Sequence, residues 1–258
     1  MRKFLILIAL ALTACSSETA EPTPTFVIPS ATSAPTATPL PTFTPVPTKT
    51  LPAVLITSGD WTRPNIALTF DVCQDPLYPA EYDSALVEAL RRYDVPATFF
   101  LGGDWMRTHP EETRQLASIP KFELANHSWG HPDFTKLNGD EIAQEITTTE
   151  EALFHLTGKH SRFFRPPFGF YNDLTLQSVA RLGLYTVTWD SVSGDPDPNF
   201  DAATIFAEVK RTVRNGSIVI MHANGRGWHT AEALPAIIEY LQGQGYTLVT
   251  VSQLLEIK

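Results

Sequence analysis

The chain has 258 residues, with 28 acidic against 19 basic side chains and a formal net charge of −9. That balance, with no basic cluster, argues against a nucleic-acid partner. Two cysteines, Cys15 and Cys73, are too few for a disulfide framework, so stability must come from a packed core.

Residues 1–15 read as a signal segment. Arg2 and Lys3 precede the apolar stretch Phe4 to Leu12, which is too short for a comfortable membrane span. Leu12-Thr13-Ala14-Cys15 then resembles a bacterial lipobox, in which a peptidase cuts before the cysteine and the cysteine carries lipid. An ordinary secretion signal cut near Ala14 fits the same residues. The expected product is exported and anchored through Cys15 to a bacterial membrane, facing the envelope or the exterior; a multiply acylated cysteine is a stable anchor. Lipidation of Cys15 would leave no intrachain disulfide to form. Residues 16–54 read as a disordered linker, mostly Pro and Thr from Glu21 to Pro52. Proline fixes φ and removes amide donors, so the stretch is expected to be an extended, semi-rigid spacer, with Thr and Ser open to glycosylation.

Residues 55–258 form the expected domain, long enough for one sizeable core. Strand-like apolar runs at 66–70, 97–101, 122–126, 162–165, 185–189, 217–221 and 246–250 alternate with helical patterns. Leu86, Val87 and Leu90 have helical spacing. Pro110 suits a first helical turn. Ile142, Ile146, Leu153 and Leu156 make an apolar face that Gly158 ends. Further helices are expected to close at Gly183, at Asn215-Gly216 and at Gly243. About seven βα units with buried strands predict a mainly parallel sheet, closed or nearly closed into a barrel. No internal repeat and no glycine-rich phosphate or dinucleotide loop is present.

Several of these runs stop at a residue able to do chemistry. The first stops at Asp71, the third at His127 with His131 beyond, and the fourth at Arg165. The fifth stops at Asp190 with Asp195 beyond, and the sixth at His222. Strand ends facing one way are where barrels put their active sites. In His127-Ser128-Trp129-Gly130-His131, two imidazoles four residues apart can share a metal ion, although two loop histidines would read alike. Asp71 suits a general base acting on water, or a turn aspartate. His222 suits a general acid, or a core histidine. Arg165, ahead of Pro166-Pro167-Phe168-Gly169, suits a structural ion pair, and beside Asp71 it would keep a base ionised. The set points to metal-assisted hydrolysis.

In these motifs the chain resembles the NodB-type polysaccharide deacetylases, carbohydrate esterase family 4. Thr69-Phe70-Asp71, His127 to His131, Arg165 to Gly169, Trp189 to Asp195 and Ile218 to His222 follow the family's motif order, and Ala231 to Val251 is also similar. The resemblance implies an α/β fold, a distorted (β/α)7 barrel of the NodB homology type. It implies hydrolysis of N-acetyl, or O-acetyl, groups on a polysaccharide such as peptidoglycan or chitin-like amino sugars; separately, a monomer is expected. It also implies a divalent metal at His127 and His131, zinc being expected and cobalt, manganese or nickel the alternatives. Asp71 is then the base, oriented by Arg165; His222 is the acid, tuned by Asp195. Phe168, Trp189 and Met221 would wall the acetyl pocket, with core packing as Met221's other reading. Two departures stand out. Val72 occupies the position of the family's metal-binding aspartate, leaving Asp75, Asp71 itself or water as replacements; Asp75 is the expected third ligand because Pro76 follows it. Cys73 is a further candidate, as a thiolate ligand or as a small buried residue. Val192 and Pro196 also replace an aspartate and a tryptophan. A cyclic amide or imide hydrolase on the same scaffold, or a non-catalytic carbohydrate-binding lipoprotein, are the alternative functions.

Overall fold

A central strand of eight residues organises the computed structural model, which describes residues 51–74 and 80–257. The signal segment, the lipidation candidate Cys15, most of the expected linker and the expected third ligand Asp75 lie outside the described residues. The strands are β1 (Leu55–Ile56), β2 (Asn65–Val72), β3 (Ala97–Leu101), β4 (Phe122–Asn126), β5 (Phe163–Phe164), β6 (Tyr185–Val187), β7 (Ser191–Val192), β8 (Ile218–His222) and β9 (Thr247–Val249). The helices are α1 (Ser84–Arg92), α2 (Gly103–Thr108), α3 (Pro110–Ser118), α4 (Gly139–Thr157), α5 (Asp173–Arg181), α6 (Ala202–Thr212), α7 (Thr230–Gly243) and α8 (Val251–Leu254).

The strands run in the order β1-β6-β5-β4-β3-β2-β8-β7, with β9 beside the start of β2. Every pairing between the named strands is parallel. This is the expected parallel α/β barrel, and its distortion has a visible source. The run expected at 185–189 is not one strand. Its first part, β6, pairs with β5 and β1. The chain then crosses the gap, and β7 pairs with β8. Asp190 secures the crossing as an acceptor for Ile218 N at 2.9 Å and Ser217 Oγ at 3.1 Å, with Arg214 Nε at 3.2 Å. This strand-end carboxylate therefore closes the barrel and does not face the cleft. Helix α2 was not foreseen; its six residues carry too little periodicity to read.

Side-chain alternation then sorts the strands into two layers. Ile66, Leu68, Phe70 and Val72 of β2 join Val219 and Met221 of β8 in the core beneath the helices. The intervening residues face inward, where Ala67, Phe100, Ala125, Phe163, Val187 and Ile218 fill the barrel. Each fully buried large apolar side chain contributes about 1.5–3 kcal/mol. Helix ends follow the local chemistry. Asn138 and Glu141 form a reciprocal capping box at the start of α4, and Gly158, at φ +69°, ends that helix in the left-handed region.

Candidate active site

Register and alternation bring the chemistry-bearing residues to one end of the barrel. Asp71 pairs in register with His222 across β2 and β8. Asn126 pairs with Phe164 across β4 and β5, so the residues that follow, His127 and Arg165, emerge side by side. Asp71, His127, Arg165 and His222 all continue the inward-facing alternation of their strands.

Arg165 is fully buried. Its Nη1 donates to Asp71 Oδ1 at 2.6 Å, and its Nη2 donates to Thr69 Oγ1 at 2.9 Å and to the Thr188 carbonyl at 3.2 Å. The guanidinium lies 3.8 Å from the centre of the Phe100 ring. Burial alone would raise the Asp71 pKa. The Arg165 charge, the largest opposing influence, outweighs it and holds the carboxyl below the ordinary carboxylate value.

The His127–His131 loop is held from several sides. Glu145 on α4 accepts from the amides of Trp129 and Gly130, each at 2.8 Å, and Asn126 Oδ1 accepts from Ser128 N at 2.9 Å. The carbonyls of Ser128 and Trp129 accept from the first amides of α2. Ser128 and His131 adopt positive φ values of 66° and 58°, conformations that non-glycine residues hold only where surrounding bonds enforce them. His127 Nδ1 lies 2.8 Å from the Arg165 carbonyl. As the proton donor there, Nδ1 leaves Nε2 as the unprotonated nitrogen facing the cleft. Burial lowers the pKa of both histidines, His131 to about 3 with His127 as the second cause, so both rings are neutral and can donate lone pairs.

Where a third donor was expected from Asp75, the described residues offer Cys73. The ligand atoms of Cys73, His127 and His131 lie within 4.8 Å of one another. Val72 points the other way, into the core beneath the helices. A donor set of two neutral imidazoles and one sulfur fits a divalent cation.

His222 is organised from the opposite wall. Its Nδ1 lies 2.9 Å from Asp195 Oδ1, and its backbone amide donates to Asp195 Oδ2 at 2.7 Å. Ser193 Oγ donates to the same carboxylate at 2.9 Å and Thr230 Oγ1 at 2.7 Å. Burial would lower the His222 pKa; the Asp195 charge and hydrogen bond reverse this and raise it above the usual value. A Cβ on Gly227 would meet Thr230 Oγ1 at 2.2 Å and the His222 carbonyl at 2.5 Å, so only glycine lets this loop pass His222.

Phe168 and Trp189 line the cleft with Asp71, His131, Asp195 and His222 around a volume of about 230 Å³. Met221 does not. It is fully buried in the core under the helices, because its place on β8 lies between the inward-facing Ile220 and His222; the expectation that it walls the pocket is corrected. Sequence reasoning missed Thr69, Ser193, Thr230, Glu145 and Asn224, the hydroxyls, carboxylate and amide that fix the named groups. Thr69 and Ser193 lie inside the family-like motif stretches, and Asn224 stands two residues beyond His222, on the same side of the chain.

Residues 58–187 match the polysaccharide deacetylase family pattern. A peptidoglycan-N-acetylglucosamine deacetylase of Bacillus cereus is 31% identical over 207 residues, 77% of this chain and 93% of that protein. A bifunctional xylanase/deacetylase of Pseudobutyrivibrio xylanivorans is 34% identical over 193 residues, 75% of this chain; the chain spans only 31% of that relative's length. Among solved structures, a family 4 carbohydrate esterase pseudoenzyme of Bacillus anthracis superimposes with a TM-score of 0.72 at 28% identity, over 79% of this chain and 69% of that one. A mutant of that pseudoenzyme with restored enzymatic activity also matches.

The buried pair makes a stability prediction. Arg165→Met strands the Asp71 carboxylate and should cost about 3–5 kcal/mol in urea unfolding. Adding Asp71→Asn should recover part of the loss; strictly additive costs would show that the two side chains are not coupled.

Proposed function

We propose, because the chain belongs to the polysaccharide deacetylase family, that it removes N-acetyl groups from an amino-sugar polysaccharide of the cell envelope by metal-dependent hydrolysis. The observation that carries this reading is the opposition, in one cleft, of an ionised Asp71 and a His222 of raised pKa. They are a base and an acid whose surroundings push their pKa values apart. Peptidoglycan is the favoured substrate, with chitin-like sugars and O-acetyl groups as alternatives. The cleft, about 230 Å³, is smaller than the roughly 300–1,000 Å³ of pockets that enclose a whole ligand. It suits a small acyl group projecting from a longer chain that lies outside, with Phe168 half exposed at its edge.

Asp71 Oδ2 takes a proton from the attacking water while Arg165 holds Oδ1. His222, held by Asp195, gives its proton to the leaving nitrogen, which departs as an amine and not as an unstable anion. His127 and His131 would hold the divalent cation, zinc being the expected ion. When bound it supplies Lewis-acid polarisation of the acyl carbonyl. The reading places the protein outside the cytoplasm as a monomer, tethered through lipid on Cys15 and spaced from the membrane by residues 16–54, which keeps the domain near the wall.

A second reading is a non-catalytic sugar-binding lipoprotein. Val72 in place of the family's metal-binding aspartate favours it, as does the likeness to a pseudoenzyme. Retention of Asp71, Arg165, His127, His131, Asp195 and His222 in one geometry favours the first.

Acetate release from N-acetylglucosamine oligomers and from purified peptidoglycan tests the choice. Asp71→Asn and His222→Ala should each cut the rate by about 10²–10⁴-fold with the fold retained by circular dichroism. Turnover near wild type in either variant would refute its assigned role, and no acetate from any substrate with the wild-type protein would favour the binding module. A pH series on the same reaction should fall off as Asp71 protonates at low pH and as His222 deprotonates at high pH. Asp195→Asn removes the charge that raises the His222 pKa and leaves burial, which lowers it. The alkaline limb should therefore move to lower pH, and an unmoved limb would separate Asp195 from the acid.

A further inference from the structure

The third protein donor beside the paired imidazoles is a sulfur, and its surroundings are built for it. Strand β2 ends at Val72, and alternation turns the following residue inward, so Cys73 Sγ arrives on the side of His127 and His131 while the valine packs into the core. Cys73 is only 2% exposed. The buried Asn224 ties it down: Nδ2 donates to the Cys73 carbonyl at 2.7 Å and approaches Cys73 Sγ at 3.4 Å. An amide donor placed there orients the sulfur, as groups hydrogen-bonded to metal ligands do. Gly102 leaves the room. A Cβ there would lie 3.2 Å from Cys73 Cα, tighter than ordinary contact.

Resting on the reading that this cleft holds a divalent cation, we propose that Cys73 is its third protein ligand, as a thiolate, and that Asn224 is the positioning residue for that sulfur. The acidic ligand has in effect moved one residue along the strand and changed from oxygen to sulfur. Val72 is then no defect, because the ligand set is complete without an aspartate at that position. Binding releases the Cys73 thiol proton to solvent as the cation–sulfur bond forms, and no electron transfer is involved. A sulfur donor selects thiophilic ions, so this chain should prefer zinc or cobalt over manganese and magnesium more strongly than an all-oxygen-and-nitrogen site would.

Cobalt(II) is the probe, because a thiolate ligand produces an intense charge-transfer absorption in the near ultraviolet that nitrogen and oxygen ligands do not. The full chain carrying Cys15→Ser, which leaves Cys73 as its one thiol, is stripped of metal and titrated with cobalt. The expected result is one equivalent bound with the charge-transfer band. Cys73→Asp should bind one equivalent without the band, and zinc should slow alkylation of Cys73 by iodoacetamide in the Cys15→Ser chain. Asn224→Ala should weaken zinc binding by about 10–100-fold and shift the band, as loss of a hydrogen bond to a metal ligand does. One equivalent of cobalt with no band, and alkylation indifferent to zinc, would overturn the thiolate ligand while leaving a metal-dependent hydrolase standing. No stoichiometric metal at all would overturn both.

Discussion

A guanidinium sealed inside the barrel against one carboxylate is the interaction on which the rest of this site depends. Arg165 arrives from β5 and Asp71 from β2, strands separated in the sheet by β3 and β4, so their 2.6 Å contact spans the barrel interior. Neither charge could be buried alone without a penalty of several kcal/mol. Thr69 and the Thr188 carbonyl take the guanidinium's second nitrogen, and the Phe100 ring lies against its plane. The pair is not placed there for net stability, since buried ion pairs roughly break even against apolar packing. What it secures is an ionised carboxylate in a dry place. The same residue reaches the other half of the site through its backbone, because its carbonyl fixes the tautomer of His127. One arginine thus sets the charge of the Asp71 carboxylate and the orientation of the His127 imidazole.

Strand alternation explains both what the sequence disclosed and what it hid. The apolar runs and their polar stops were legible because parallel strands buried on both faces read as continuous hydrophobic segments, and any interruption stands out. The five strand-end groups were therefore visible, and the structure brings four of them, Asp71, His127, Arg165 and His222, to one cleft. The fifth, Asp190, stands at the barrel seam instead, because the strand it ends breaks and crosses to β8. Met221 was misread for a related reason. In a run where every residue is buried, hydrophobicity does not say which face a side chain takes, and only counting in twos from His222 does. Counting the same way from Asp71 sends Val72 outward and Cys73 inward, a step that comparison with the family motif, position by position, concealed.

The supporting groups were illegible for a different reason. Thr230 reaches Asp195 from a helix start 35 residues away, and Glu145 reaches the amides of Trp129 and Gly130 from 16 and 15 residues away. Nothing local marks such residues, because their partners are set by tertiary packing. They matter to chemistry all the same. A histidine or aspartate at the end of a strand is only a candidate until the groups behind it fix its rotamer and charge, and this shell separates a working arrangement from a coincidence of residue types.

Three imidazoles share this one cleft, and their division of labour follows from what stands behind each. His127 has the Arg165 carbonyl at Nδ1 and the Asp71 carboxylate 3.5 Å from Nε2, and His131 has a second imidazole beside it; burial outweighs the pull of Asp71, and the pKa of both rings is lowered. His222 loses water as well, but it has the Asp195 carboxylate, and its proton is held more tightly than in solution. A carbonyl in place of Asp195 behind His222 would remove the largest influence that raises the pKa of that ring. The Asp71 carboxylate near His127 is already paired with Arg165, so the difference between the rings lies in the Asp195 carboxylate, hydrogen-bonded to His222 at 2.9 Å. The loop around Gly227, where no larger residue fits, closes over that carboxylate and shields it from solvent.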